Sequence, residues 1–333
     1  MFARLHSLSW RWRARRFRHA PRLPAILLYH SVSLRARDPL RLAVSPARFA
    51  AHLGWLVQHA TVLPLREFVR RNAERSLPAN AVALTFDDGY ADNFATAAPL
   101  LRAHGVPATV FVTTDYLDSP GEGWWDALDA VFLDTPFLPP EFRHEDFSVT
   151  VESHLDPNRR AWTVLSAPET RREKAFLAAS RHVRGLGRAA RHRFIRALLR
   201  WSECPETARP GHGFARWRDA AAEHRDGVVT LGAHTRSHPA LAELPFAAQV
   251  EEVQESCAAV RHHVGAAPCG FAYPFGTYHD FTPSTLAAVR ASNAGFAVAN
   301  MPGLLGPPSD RWQLPRLLVW DWELPELAAR LGQ

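Results

Sequence analysis

The chain has 333 residues, 47% of them hydrophobic and 22% charged, a globular composition sized for one large α/β domain or two smaller ones. No apolar run reaches the ~18 residues of a membrane-spanning helix, and three cysteines (Cys204, Cys257, Cys269) without metal-type spacing set no disulfide framework and suit a reducing compartment. Seven of the 39 basic side chains (Arg4, Arg11, Arg13, Arg15, Arg16, Arg18, Arg22) fall in residues 1–22 with no acid, which leaves 32 against 33 acidic side chains elsewhere, a near-neutral body that argues against nucleic-acid binding.

In this basic arm (1–24), Leu5, Leu8, Trp10, Trp12 and Phe17 interleave with the arginines. That pattern suits docking on an anionic membrane surface; a disordered start is the plainer alternative. The apolar stretch after Arg15-Arg16 is short and broken by Pro21, Arg22 and Pro24, so no signal peptide is expected. The expected location is cytoplasmic, peripheral at the inner membrane.

"AILLYH" (25–30) predicts a strand ending in His30. Ser45-Pro46 opens a helix with Phe49, Leu53 and Leu56 on one face. "TVLPL" (61–65) predicts a short strand, and a helix follows to about Glu74. "AVALTF" (81–86) is a continuous apolar strand that runs into Asp87-Asp88-Gly89. A helix over about 92–103, capped by Asp92 and Asn93, closes at Gly105 before the buried strand "PATVFVTT" (107–114). Residues 119–212 lose the alternation and read as turns, then an arginine-rich helix (169–201): a mostly helical insertion with solvated basic faces. The pattern resumes with a helix near 215–224, then "GVVTLGAH" (227–234) and an amphipathic helix (245–264) with Cys257 on its core stripe. "CGFAYPFG" (269–276), a helix (283–292), "GFAVAN" (295–300) and "LPRLLVW" (314–320) complete it. Seven or eight strands alternating with helices predict a parallel α/β sheet, either a closed (β/α)7–8 barrel or an open doubly wound sheet. The expected organisation is the arm, a first part of the domain (25–118), the insertion (119–212) and a second part (213–333).

Chemically capable residues collect at the strand ends: His30, Asp87-Asp88, His234 and His238, and Tyr273-Pro274-Phe275-Gly276. In a parallel β/α barrel all C-terminal strand ends share one face, so these would converge. "HTRSH" (234–238) offers two imidazoles four positions apart, and two His with one carboxylate form a common Zn²⁺ set that also fits other divalent metals. An ion explains why two aspartates sit side by side. One ligates it, the other stays free as a base, and their pKa values are driven apart. With an ion lowering the pKa of water and polarising a carbonyl, the set describes metal-assisted hydrolysis of an amide or ester.

"TFDDG" (85–89), "HTRSHP" (234–239) and "FAYPFG" (271–276), in that order, resemble the polysaccharide deacetylase (NodB-homology) family, the family-four carbohydrate esterases. The resemblance covers roughly 25–118 and 213–320. It implies a distorted (β/α) barrel that removes N-acetyl groups from amino sugars, with Asp87 as general base, Asp88, His234 and His238 as metal ligands, and the Phe275 N–H stabilising an oxyanion. Two departures matter. The arginine that precedes the Pro-aromatic pair in the family is replaced by Gly270-Phe271-Ala272, and Arg316 is the expected substitute. No late strand carries the family's acid histidine, and "AILLYH" resembles that motif, as in members with permuted motif order; His30 is therefore the expected general acid. Tyr273, Pro274, Trp124 and Trp125 are expected to line the substrate site. The expected substrate is an N-acetylated glycan or a lipid-linked sugar. A deformylase, an O-deacetylase and a non-catalytic glycan-binding protein are the alternatives.

Overall fold

The computed structural model describes residues 24–301, 303, 305 and 310–332. The basic arm, and with it the expected membrane contact, lies outside the described residues apart from Pro24. No described helix is long and apolar enough to cross a membrane.

The strands are β1 (Ala25–Tyr29), β2 (Thr61–Val62), β3 (Ala81–Phe86), β4 (Ala108–Val112), β5 (Glu141–His144), β6 (Phe147–Thr150), β7 (Val229–Ala233), β8 (Phe271–Ala272), β9 (Ala297–Val298) and β10 (Leu317–Leu318). Eight of them form one sheet in the order β10-β1-β3-β4-β7-β8-β9, with β2 beside β3. Every pairing in this sheet is parallel. A parallel bridge between Val298 and Leu314 brings the chain back beside β9 on its way into β10, so the sheet curls into a distorted barrel. The central strands β1, β3 and β4 are buried along their whole length, which is why they read as unbroken apolar runs rather than alternating ones. Register aligns Tyr29 with Phe86, and Val112 with Ala233. The residues that follow these pairs therefore emerge side by side at one mouth.

Between β4 and β7 the chain builds a second hydrophobic core, in which Trp125, Phe132, Phe142, Phe176, Phe194 and Leu198 meet Tyr90 and Phe214 of the barrel side. This segment departs from the sequence reading in three ways. It contains an antiparallel hairpin, β5–β6, too short and half-exposed to stand out as a pattern. The arginine-rich stretch is two helices, Arg171–Arg184 and Arg188–Ser202, parted at Gly185-Leu186-Gly187. Its arginines are not all solvated: Arg172 and Arg191 are buried and donate to backbone carbonyls, Arg172 to those of Thr135, Glu152 and Ser153. Their five-donor forks satisfy carbonyls left open where chain segments cross.

Candidate active site

Asp87 and Asp88 leave β3 in a turn that only a local change of backbone hand allows. Asp88 has φ 74° and Gly89 φ 87°. Thr235 (φ 61°), His238 (φ 58°) and Phe275 (φ 58°) are also left-handed, an uncommon state for residues with a Cβ that costs about 1–3 kcal/mol each and is held by surrounding structure. Four strained residues on three loops at one mouth mark a preorganised site.

Asp88, His234 and His238 present ligand atoms within 4.8 Å of one another, all buried. His234 Nε2 lies 3.6 Å and His238 Nε2 3.4 Å from Asp88 Oδ1. His234 Nδ1–H donates to the Ala272 carbonyl at 2.8 Å, which fixes the tautomer and leaves the Nε2 lone pair facing Asp88. Burial holds the His234 imidazole below its usual pKa, and His238 well below, so both are neutral ligand donors. Asp88 Oδ1 is buried with no hydrogen-bond partner. A carboxylate oxygen orphaned between two neutral imidazoles is the donor set a divalent cation completes. The residues fit such an ion.

Asp87 stands beside this set and differs from it. Arg316 donates to it through both nitrogens, Nη1 to Oδ1 at 2.7 Å and Nη2 to Oδ2 at 2.6 Å. Arg316 is fully buried and is steadied by Thr85 Oγ1 and the Ala299 carbonyl. Burial would raise the Asp87 pKa, but Arg316, His234 and His30 outweigh it and leave the carboxyl below its usual range. Asp88 goes the other way: burial, then the charges of Asp87 and Asp126, hold it well above. His30 follows β1 next to this pair. Burial pushes its imidazole down to about 4, with Asp87 opposing and Arg316, His234 and Arg35 adding to the shift.

The remaining expected residues divide. Trp125 packs its ring 4.4 Å from that of His238, and Trp124 Nε1 donates to the His238 carbonyl at 3.1 Å. Both are buried, so they back the ligand loop rather than offer an open sugar platform. Phe275 lies 5.0 Å from the His238 ring, and its N–H has no acceptor in the described backbone. Pro274 is buried in the same turn. Tyr273 does not line the mouth: its ring stacks on Phe281 and its hydroxyl donates to the Trp312 carbonyl. Asp92 and Asn93 do not cap the following helix. They hold the His30 loop: Asn93 Nδ2 donates to the His30 carbonyl at 2.6 Å, and Asp92 accepts from Ser31 Oγ and Val32 N.

Sequence reading missed the residues that pin the 234–238 loop. Glu252 accepts from the N–H groups of Arg236 and Ser237 and from Ser237 Oγ. Arg191, from helix Arg188–Ser202, donates to Ser237 O at 2.7 Å and Oγ at 2.8 Å. One lies on an ordinary amphipathic helix and the other in an arginine-rich run, so neither stands out in sequence.

Comparison with known proteins agrees with this geometry. The family model described as polysaccharide deacetylase matches residues 74–146 and 191–294, more than half the chain, and its break falls within the expected 119–212 segment but does not fill it. The poly-beta-1,6-N-acetyl-D-glucosamine N-deacetylase of Staphylococcus epidermidis is 30% identical over 108 residues, 28% of this chain and 37% of that protein. The match thus spans little more than a third of this curated relative. Among solved structures, Streptococcus pyogenes deacetylase PplD in complex with acetate superposes with TM-score 0.59 at 17% identity, covering 94% of this chain and 100% of that one. IcaB from Ammonifex degensii gives TM-score 0.59 at 18% identity, covering 94% and 98%. These two likenesses are of fold. With the matched family model laid over the Asp-Asp-Gly turn and the two-histidine loop, the chain belongs to the polysaccharide deacetylase family.

Proposed function

We propose that the protein is a divalent-metal-dependent N-deacetylase acting on N-acetylated amino sugars of a glycan or glycan precursor, with Zn²⁺ as the ion. The observation that carries this reading is the pairing of an Arg316-clamped Asp87 with the converging Asp88, His234 and His238. Asp88, His234 and His238 would hold the ion, which when bound acidifies water and polarises the acyl carbonyl.

Asp87 is the base. Arg316 keeps it ionised and fixes its direction, so it accepts a proton from the water that attacks the acetamide carbon. The carbon–oxygen bond forms as the carbonyl electron pair moves onto oxygen, where the Phe275 N–H donates to the developing charge. His30 rests neutral at pH 7. The proton it delivers is the one Asp87 has removed, drawn across as negative charge builds on the acyl oxygen. It passes to the sugar nitrogen as the oxyanion pair closes back to the carbonyl and the carbon–nitrogen bond breaks; the acetic acid formed yields its proton to the free amine, leaving acetate and an ammonium group.

The test is acetate release from a panel of N-acetylated glycans and lipid-linked sugars, with Zn²⁺, with chelator, and with Asp87→Asn. Release that needs both the ion and Asp87 is the expected result. Metal binding without acetate from any member would overturn the N-acetyl assignment and move the test to formylated sugars.

A further inference from the structure

Arg35 lies on the loop after β1, five residues beyond His30. Its side chain is buried and only one end is used: Nη1 donates to Asp126 Oδ1 at 3.2 Å, and the guanidinium rests 4.8 Å above the Tyr90 ring. Nε and Nη2, the donors of the opposite edge, are buried with no partner. His212 shows the complementary defect. Its Nδ1–H donates to the Pro210 carbonyl at 3.0 Å, which leaves Nε2 as a lone-pair acceptor, also buried and unpartnered. The two are neighbours. After burial itself, the Arg35 charge is the largest influence on the His212 imidazole, and Gly211 faces Ser33, whose Oγ would stand 3.6 Å from a Cβ there. The Arg35 charge also reaches Asp88 and His30.

A buried donor or acceptor without a partner is costly, so native proteins reserve such atoms for a ligand or an ordered water. We propose that Arg35 and His212 form a sugar-hydroxyl subsite beside the metal cluster. One ring hydroxyl accepts from Arg35 Nε and Nη2 and donates its own proton to His212 Nε2. A carboxylate or phosphate could not make the last bond. It would also meet Asp88, Asp92, Asp126 and Asp38, whose charges already face Arg35. The subsite therefore takes a neutral hydroxylated ring.

This inference rests on the N-deacetylase reading, and two substrates separate the two. p-Nitrophenyl acetate needs the metal centre but presents no sugar hydroxyl; an N-acetylglucosamine oligosaccharide needs both. Arg35→Met and His212→Phe are each expected to lower kcat/KM on the oligosaccharide roughly 10- to 100-fold, mainly through KM. Turnover of the ester by His212→Phe is expected to stay within about two-fold of wild type. Equal losses on both substrates in His212→Phe, or no loss on the oligosaccharide in either variant, would overturn the subsite. The sugar substrate compared is whichever member of the acetate-release panel the wild type turns over; release from none would overturn the N-deacetylase reading and the subsite with it. Should Arg35→Met lose its fold, His212→Phe decides, since that ring is anchored by one backbone hydrogen bond.

Discussion

Arg316 precedes β10 by one residue, far in sequence from the aspartate it serves. It has no open face to solvent, and Asp87 is nearly as buried. Removing one member of such a pair leaves a buried charge uncompensated, at about 3–5 kcal/mol. Arg316→Met is therefore expected to lower thermal stability and to let burial dominate Asp87, raising its pKa. The acid limb of the pH–kcat/KM profile should move to higher pH, because the base must be ionised to act; an unmoved limb would separate Arg316 from the base. Asp129, at the end of helix Trp124–Asp129, gives an independent pH prediction. Burial raises its carboxyl to about 7, against Arg209 and Arg37, which pull it down. A carboxyl whose folded pKa lies above its unfolded value favours the fold fully at low pH and loses that contribution as pH rises through the folded pKa. Between pH ~4 and ~7 the stability of wild type should thus fall relative to Asp129→Asn, as read by urea melts across that range.

At the scale of elements, the ligand loop 234–238 is held from three sides. Helix Phe246–Val264 supplies Glu252, helix Arg188–Ser202 supplies Arg191, and helix Trp124–Asp129 sets Trp124 and Trp125 against His238. Two of these three elements lie between β4 and β7, so that segment positions a ligand loop of the barrel. Partners of this kind are worth about 10- to 100-fold in metal affinity. Arg191→Met should weaken Co²⁺ binding by that order, followed by the visible spectrum of the Co²⁺ protein, while Asp87→Asn should leave binding near wild type. Equal Co²⁺ affinity in Arg191→Met and wild type would confine Arg191 to packing. Sequence made the amphipathic helix legible, since its apolar residues recur at helical spacing. It could not reveal Glu252 or Arg191, because a charged residue that turns inward looks the same as one that turns out.

For the whole molecule, an ion that binds only the folded chain stabilises it by mass action, about 4 kcal/mol at 1,000 times its dissociation constant. Chelator should therefore lower Tm, and Zn²⁺ should restore it; a Tm indifferent to both would remove the metal from Asp88, His234 and His238. The basic arm makes a separate proposal, that residues 1–22 dock on anionic lipid. Vesicle flotation with and without these residues checks it, and identical flotation would refute it. The buried strands β1, β3 and β4 are legible in the sequence, because a strand covered on both faces must be apolar throughout. The sequence also determined the Asp-Asp-Gly and two-histidine motifs, because their chemistry is local: adjacent carboxylates, and imidazoles four positions apart. The resemblance points to Arg316, but its two-pronged clamp on Asp87, the hold of Asp92 and Asn93 on the His30 loop, the inward turn of Tyr273 and the unpaired atoms of buried Arg35 and His212 emerge only with the packed fold. Those are contacts between residues tens to hundreds of positions apart. They exist only once parallel register has brought the strand ends to one mouth, and local spacing carries no trace of them.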